Sequence, residues 1–234
     1  MSTKLKNEMQ ILALLPGVDC SGYGGCGFET CEACAGEIAE SRNPALCPAC
    51  SKETVDAIAE ILGVESVPVE NKTAFIKCAG DGAGRERLSL LKTCEEAKEA
   101  GFTHGECQWG CIGLGSCTKV CEFDAMTVED GKVIIDKEKC TGCMACAKVC
   151  PRNIIAQADY DKKVYVPCAS HAKGAVTVRG CTQGCIGCSI CVKVCPKDAI
   201  SIDKNLAVID YSKCDSCGLC AQVCTKKLIV DTME

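Results

Sequence analysis

The chain has 234 residues, a formal net charge of −5 and an aromatic content of only 4%. Such a sequence has neither the basic face nor the stacking rings of a nucleic-acid-binding protein, so that class is excluded. It also contains 26 cysteines, far above ordinary usage, and cysteine chemistry therefore has to explain the sequence. Thiols in this number serve as disulfides of a secreted scaffold, as ligands of structural zinc, or as ligands of iron–sulfur clusters.

The N-terminal 19 residues contain no long apolar core and no small-residue cleavage site, so no secretory signal is predicted. Their longest apolar run, Ile11 to Leu15, is far shorter than a membrane span. We therefore expect a soluble, cytoplasmic chain whose thiols stay reduced and bind metal instead of forming disulfides.

A cysteine-rich segment and a helix form the predicted N-terminal domain, residues 1–64, here called the head domain. Residues 51–64 are predicted to be an amphipathic helix, because apolar residues recur at helical spacing and Gly63 follows them. The six cysteines provide one cluster with two thiols to spare, or a zinc ribbon built from two C-x2-C pairs. They are Cys20, Cys26, Cys31, Cys34, Cys47 and Cys50.

Residues 65–93 are predicted to be a connector. It contains a short strand candidate around Phe75 and Ile76. A second helix is predicted from about Glu86 to Ala100, where Gly101 closes it.

An internal duplication fills the rest of the chain. A shift of 74 residues superposes nine cysteines without a gap, and it places CQWGCIGLGSCTKVCEFDAM, from Cys107, over CTQGCIGCSICVKVCPKDAI, from Cys181. We interpret residues 94–160 and 168–234 as two copies of one unit, the first and second repeats. Strands are predicted at 132–136 and 206–210. The predicted fold class is α+β, with an N-terminal 4Fe–4S domain followed by two tandem bicluster ferredoxin-like units.

Three cysteine runs have the spacing C-x2-C-x2-C-x3-C that is typical of bacterial ferredoxins. In this spacing a tight loop brings three thiolates onto one cubane, and the fourth cysteine reaches the other cluster of a pair. Zinc usually draws on two separated C-x2-C pairs, so the runs indicate [4Fe–4S] clusters. The runs are Cys140-Cys143-Cys146-Cys150, Cys185-Cys188-Cys191-Cys195 and Cys214-Cys217-Cys220-Cys224.

This crossover arrangement predicts three complete ligand sets. Each takes three cysteines from one run and the last cysteine of the paired run. The sets are Cys185, Cys188, Cys191 and Cys224; Cys214, Cys217, Cys220 and Cys195; and Cys140, Cys143, Cys146 and Cys121.

A fourth set is one ligand short, because Leu114 stands where the second repeat has Cys188. Its site either holds a three-iron cluster or no cluster, or it takes the missing thiolate from Cys107. We favour Cys107, because three buried thiolates without a full cluster would be costly to keep. The three remaining ligands of this set are Cys111, Cys117 and Cys150.

Four further cysteines lie outside every run, and each is interpreted either as a small buried residue of a reduced core or as a ligand of an additional cluster. They are Cys78, Cys94, Cys168 and Cys181. No catalytic residue and no cofactor site beyond the clusters is predicted. His104 and His171 do not superpose in the duplication, and no nucleophile–base pattern surrounds either.

Several segments resemble the B subunit of the Rnf complex, the ferredoxin:NAD oxidoreductase family of anaerobes. They are GGCGFETC (24–31), CQWGCIGLGSCTKVCEFDAM (107–126), EKCTGCMACAKVCP (138–151) and GCIGCSICVKVCPKDAI (184–200). The resemblance implies a [4Fe–4S] cluster in the head domain, with Cys26, Cys31 and Cys47 at family ligand positions. The fourth ligand is Cys20, Cys34 or Cys50, and the predicted set uses Cys20. The family begins with a membrane-spanning helix that this sequence does not show, so we expect a soluble relative.

The predicted function is that of an electron-transfer subunit with about five [4Fe–4S] clusters and no catalytic site of its own. It would relay low-potential electrons within a cytoplasmic oxidoreductase complex, of which an electron-bifurcating complex is one candidate, with a flavoprotein or a ferredoxin as redox partner. Partners do not include nucleic acid, and no direct membrane span is expected. Two other hypotheses remain: a free polyferredoxin, and an accessory iron–sulfur protein of a corrinoid methyl-transfer system, which GFETC (27–31) also resembles.

Overall fold

The computed structural model describes residues 3–17, 26–69, 72–80, 90–103 and 107–231. These ranges contain eight α-helices, a 3-10 helix and eight strands, and the strands pair as four two-stranded antiparallel sheets. Helices and strands are thus mixed along the chain, in keeping with the α+β class. The predicted ligand Cys20 lies outside the described residues, as does His104.

Three helices build the head domain: α1 (Thr3–Leu14), α2 (Cys31–Ser41) and α3 (Lys52–Leu62). Helix α3 confirms the helix predicted for 51–64. Ser51 caps its start by accepting the N–H of Thr54, and Gly63 ends it in a left-handed conformation with φ 61°. Helices α1 and α2 have no counterpart among the predicted elements. The core between the three helices includes Ile11, Ile38, Val55 and Ile58, which are fully buried.

One hairpin lies in each repeat, and together they confirm the two predicted strands. Strands β2 (Met126–Glu129) and β3 (Lys132–Ile135) pair in the first repeat. Strands β6 (Ile200–Asp203) and β7 (Leu206–Ile209) pair in the second, each 74 positions later in the sequence.

A second small sheet in each repeat extends the duplication toward the N-terminus. Strand β1 (Lys72–Ile76) pairs with β4 (Ile155–Asp159), and β5 (Val164–Tyr165) pairs with β8 (Val230–Asp231). Residues 72–76 fall in the predicted connector, and they confirm its strand candidate. The structure thereby packs part of the connector into the first repeat.

Short helices follow the cysteine loops and carry the last cysteine of each run away from the first three. They are α5 (Ala145–Lys148), α7 (Ile190–Val194) and α8 (Leu219–Val223), and a 3-10 helix, Thr118–Val120, takes the place of α7 in the first repeat.

Two other helices precede the first run of each repeat: α4 (Cys94–Glu99) and α6 (Gly174–Gly180). The sequence predicts that α4 begins near Glu86, but residues 90–93 are not helical. Helix α4 begins at Cys94 because Thr93 and Glu96 form a reciprocal capping box. Helix α4 therefore begins later than predicted, at the position that its cap fixes.

Candidate iron–sulfur centres

The cysteine loops share one backbone conformation. In each, the residues on both sides of the second cysteine have positive φ: Gly142 and Met144, Gly187 and Ser189, Ser216 and Gly218. A left-handed backbone conformation is unfavourable for residues with side chains, such as Met144 and Ser189. The loop therefore imposes this conformation on them. Turns of this kind gather successive backbone N–H groups into an anion-binding concavity, which suits the net negative charge of a thiolate-ligated cluster. Gly113 and Gly115 place the same turn around Leu114.

The structure brings together both predicted sets of the second repeat. Each set lines its own cavity, and the atom-free space amounts to about 390 Å³ and 310 Å³ respectively. The first cavity is lined by Cys185, Cys188, Cys191 and Cys224, and the second by Cys195, Cys214, Cys217 and Cys220.

The complete set of the first repeat is also brought together, around Cys146. Burial raises the pKa of the Cys146 thiol to about 12, and three neighbouring thiols contribute to the rise. These neighbours are Cys140, Cys143 and Cys121. A thiolate at such a position is costly without metal. A bound metal ion offsets that cost, because its positive charge stabilises the deprotonated ligand.

At the incomplete set, the structure supplies a different cysteine from the predicted one. A cavity with about 380 Å³ of atom-free space is lined by Cys94, Cys111, Cys117 and Cys150. Burial, then the nearby thiols of Cys111 and Cys94, raises the pKa of Cys117 to about 12. Cys107 lines a separate cavity. The fourth thiol beside Leu114 is therefore that of Cys94.

An insertion in the first repeat explains the position of Cys94. Cys107 follows Cys78 by 29 positions, whereas Cys181 follows Cys168 by 13. The 16 additional residues include α4, which begins at Cys94. Helix α4 packs in a small core with Ile112, and Leu114 lies against that core. The gapless 74-residue register conceals this insertion, because it happens to place Cys94 over Cys168.

Five thiols meet in the head domain: Cys26 lies before α2, Cys31 and Cys34 lie on α2, and Cys47 and Cys50 lie in the segment before α3. Hydrogen bonds from the Cys34 and Cys50 thiols lower the pKa of Cys47 to about 3. Both of the described alternatives for the fourth ligand, Cys34 and Cys50, are buried within this group. The predicted partners Cys26, Cys31 and Cys47 are thus gathered, and Cys20 lies outside the described residues.

The last four cysteines line one cavity at the junction of the two repeats. They are Cys78, Cys107, Cys168 and Cys181. Trp109 also lines this junction cavity. None of the 25 described cysteines forms a disulfide.

Two buried polar atoms beside the cavities have no hydrogen-bond partner in the part of the chain that the structure describes. The sulfur atoms of a cluster would provide one. Arg152 Nε and Ser216 Oγ are buried without a hydrogen-bond partner among the described residues. Arg152 lines the Cys94 cavity, and Ser216 lies between Cys214 and Cys217. Thiolate and sulfide sulfurs are acceptors for such donors. The residues present therefore fit [4Fe–4S] clusters.

Backbone N–H groups donate to several of the candidate ligand sulfurs. Ala74 donates to Cys140 Sγ over 3.3 Å, Ala199 to Cys195 Sγ over 3.3 Å and Leu228 to Cys224 Sγ over 3.4 Å. Bonds of this type stabilise the more negative, reduced form of a cluster and raise its potential.

No group of three His, Cys, Asp or Glu side chains within the described ranges has the geometry of a site for one metal ion. The ligands of one zinc ion lie about 3.8 Å apart, which follows from Zn–S distances near 2.3 Å. The thiolates of a cubane bind four different irons and are spaced more widely.

Comparison with known protein families first defines the class. Residues 184–228 match a 4Fe–4S dicluster domain, and residues 133–156 match a 4Fe–4S binding domain. Both matches fall on the cysteine loops described above. The chain is thus an iron–sulfur protein that binds multiple [4Fe–4S] clusters.

Comparison with individual proteins gives the particular family. The chain is 39% identical over 87% of its length to the B subunit of the Na+-translocating ferredoxin:NAD+ oxidoreductase complex of Acetobacterium woodii, and it spans 62% of that protein. It is 37% identical to the B subunit of the ion-translocating oxidoreductase complex of Methanosarcina acetivorans, covering 78% of that protein. The corresponding protein of Clostridium ljungdahlii is 36% identical, with 72% covered.

This chain belongs to the B-subunit family of Rnf-type, ion-translocating oxidoreductase complexes. The family resemblance predicted from the sequence is confirmed. Within the described ranges, no helix has the length and apolar character needed to span a membrane.

Proposed function

We propose that this chain is the iron–sulfur subunit of an oxidoreductase complex and relays low-potential electrons between redox partners. The observation that carries the proposal is the grouping of its cysteines into sets of four around separate cavities. A bound [4Fe–4S] cluster supplies one-electron chemistry, in which one cluster is oxidised as its neighbour is reduced and no bond to the protein changes.

Contacts between the sets support a relay. Cys143 packs against the head core. In the first repeat, Cys146 and Cys117, which belong to different sets, lie in the same buried core. In the second repeat, Cys191 and Cys220 of the two sets likewise share one buried core. Ligands of neighbouring sets thus lie beside one another within each pair, which suits transfer between them.

The chain's own residues would tune the clusters. Each of the four cavities that carry four thiols is also lined by one cationic side chain: Lys77, Arg152, Lys197 or Lys226. A cation close to a cluster stabilises its reduced state. Most ligands are buried or half-buried, which limits access of water, while Cys188 and Cys217 are exposed. We propose this exposed side of the second repeat as the place where a redox partner approaches.

The first partner proposed for this chain is a ferredoxin, by analogy with the names of its relatives, which also mention NAD+. The second is a flavoprotein linked to NAD, because flavins exchange hydride with NAD and can pass on single electrons. The proposal includes a cytoplasmic location, where thiols stay reduced. Five sets, one in the head domain and two in each repeat, would hold about twenty irons. The arrangement proposed is the predicted one, a 4Fe–4S head domain followed by two bicluster units.

Iron, zinc and acid-labile sulfide per chain, measured on anaerobically purified protein, test this proposal. We expect at least about twenty irons matched by sulfide, and reduced-cluster EPR signals after addition of dithionite. The variant Cys217→Ala is the control, because it should affect one cluster and leave the others. Zinc with little sulfide would contradict the proposal.

Electron delivery is tested on the same sample. Reduced ferredoxin should bleach the visible absorbance of the clusters, whereas NADH alone should not, because splitting a hydride into single electrons requires a flavin. Bleaching by NADH without a flavoprotein would show that this chain has a reaction site of its own.

A further inference from the structure

Four thiols line the junction cavity, and the predicted ligand sets include only one of them, that of Cys107. They belong to Cys78, Cys107, Cys168 and Cys181. Its atom-free space of about 500 Å³ exceeds the 380 Å³, 390 Å³ and 310 Å³ of the three cavities lined by ligands of the cysteine runs. By this internal standard, the junction cavity has both the ligands and the room that the other sites have.

The two repeats provide the first pair of these thiols in the same way. Cys78 follows strand β1, and Cys168 follows strand β5. Each sulfur accepts the backbone N–H of the first cysteine of the next run, Cys111 to Cys78 over 3.3 Å and Cys185 to Cys168 over 3.4 Å. The two segments lie side by side, because the N–H of Ala79 donates to the carbonyl of Pro167 over 2.9 Å.

The second pair is equally regular. Cys107 lies four residues before Cys111, and Cys181 lies four residues before Cys185. Each repeat therefore contributes one cysteine after a strand and one cysteine before its first cluster loop. Cys78 and Cys168 therefore occupy equivalent positions in the two repeats, although the 74-residue shift places Cys94 over Cys168.

The four thiols also lie close to one another. Burial raises the pKa of Cys107, and the thiols of Cys78 and Cys181 contribute. Burial likewise raises the pKa of Cys168 to about 11, with a contribution from Cys107. Small buried cysteines of an ordinary core would pack against their neighbours, whereas these surround a common space.

We propose that Cys78, Cys107, Cys168 and Cys181 bind an additional [4Fe–4S] cluster at the junction of the two repeats. The proposal rests on the proposed electron relay and extends it. Four thiolates also suit one zinc ion, but the neighbouring sites favour a cluster. The sulfurs of Cys78 and Cys168 accept N–H groups from Cys111 and Cys185, which are ligands of the nearest set in each repeat.

A cluster at this position would connect the two halves of the relay. The sets of the first repeat contact one another, and so do those of the second, but the junction cavity lies between the two pairs. With the junction site filled, neighbouring sites follow one another from the head domain to the exposed edge of the second repeat. The chain would then hold six clusters and about 24 irons.

Paired substitutions in the full-length, anaerobically purified protein test the proposal. We expect Cys107→Ala with Cys181→Ala to lose about four irons and four sulfides per chain relative to the unsubstituted protein. Cys78→Ala with Cys168→Ala should lose the same amount, and all four substitutions together no more, because one cluster is removed in each case. Unchanged iron in both double variants would overturn the proposal.

The combination of Cys94→Ala with Cys107→Ala is the matched control. These residues line different cavities, so the pair should affect two clusters and lose more iron than either single substitution. If Cys107 instead completed the set beside Leu114, the two losses would not add and Cys181→Ala would leave iron unchanged. Circular dichroism of each variant checks that the repeats remain folded.

The outcomes separate this proposal from the electron relay. About twenty irons in the unsubstituted chain, with zinc lost on substitution of Cys107 and Cys181, would refute the junction cluster and leave the relay intact. An absence of sulfide would refute both. EPR of the reduced protein adds a readout, since loss of the junction cluster should weaken magnetic coupling between the repeats while signals within each pair remain.

Discussion

The two repeats have the same cluster loops but obtain one of their ligands differently. In the second repeat, Cys188 lies between the two left-handed residues of its loop. In the first repeat, Leu114 occupies that place, and Cys94 on helix α4 lines the cavity instead. The comparison shows that the loop backbone and the ligand sulfur are separable. A site keeps its geometry when the thiol arrives from another segment of the chain.

Substitution of Cys94 has the largest expected effect on this comparison. We expect Cys94→Ala to lose between about one iron, leaving a three-iron cluster, and about four, the whole cluster. Adding Leu114→Cys should restore the iron content, because it recreates the ligand arrangement of the second repeat. Iron and sulfide analysis with EPR of the oxidised protein measures both changes. An unchanged iron content in Cys94→Ala, together with a loss of iron in Cys107→Ala alone, would favour Cys107, the ligand predicted from the sequence.

The second expected effect concerns the wall of the junction cavity that the second repeat provides. A Cβ atom at Gly184 would lie 2.4 Å from Thr177 Cγ2 and 3.4 Å from Cys181 Cβ. Gly184→Ala should therefore destabilise the protein by about 1–3 kcal/mol through overpacking. Anaerobic denaturant titration measures the free energy of unfolding.

Two variants control for this effect. Thr177→Ser removes the clashing methyl group and should recover part of the stability when combined with Gly184→Ala. Gly36→Ala, in helix α2, meets nothing within 4 Å and should stabilise by about 0.5–1 kcal/mol. If Gly184→Ala is as harmless as Gly36→Ala, helix α6 does not hold the cavity wall rigidly.

Charges beside equivalent sites give a third, smaller test. Arg152 and Lys226 lie two residues after the last cysteine of their runs, and each lines the cavity of that cysteine. Arg152→Gln should lower the potential of its cluster by about 60 mV, or about 1.4 kcal/mol for one electron. Lys226→Gln should lower the other by less, since the Arg152 guanidinium is held by a hydrogen bond to the carbonyl of Phe102. EPR-monitored redox titration measures both, with Arg152→Lys as control, and equal potentials in all variants would contradict the charge effect.

Sequence spacing predicts much of this molecule because the cluster loops are local. In the run from Cys185, the C-x2-C-x2-C spacing specifies both the left-handed turn and three ligands, and the duplicated hairpins follow from the repeat. The ligands that spacing leaves open come from distant segments. Cys94 reaches its cavity through a helix within an insertion, and Cys78 reaches the junction through the pairing of β1 with β4. Neither position follows from a periodic sequence pattern, and an alignment of the repeats without gaps hides both.

The extended duplication also has a sequence signal that could have been used. The pairs Cys78-Ala79 and Cys168-Ala169 each follow a short apolar stretch, and each precedes a C-x3-C pair. An alignment that allows a gap between Cys78 and Cys107 brings these features into register. It then leaves Cys94 without a counterpart, which marks it as the candidate for the missing ligand.

The smallest expected effect concerns the cap that fixes helix α4. Thr93 accepts the N–H of Glu96 over 3.1 Å, and the Glu96 carboxylate accepts the N–H of Thr93 in return. Thr93→Ala should cost about 1 kcal/mol of helix stability. Because α4 begins at Cys94, the Cys94 cluster should then lose iron to a chelator faster than the others. Thr30→Ala removes the equivalent cap of α2 in the head domain, so it should spare the Cys94 cluster. Equal rates of iron loss in both variants would mean that the Cys94 thiol is positioned by its small core of Ala97 and Ile112, and not by the cap.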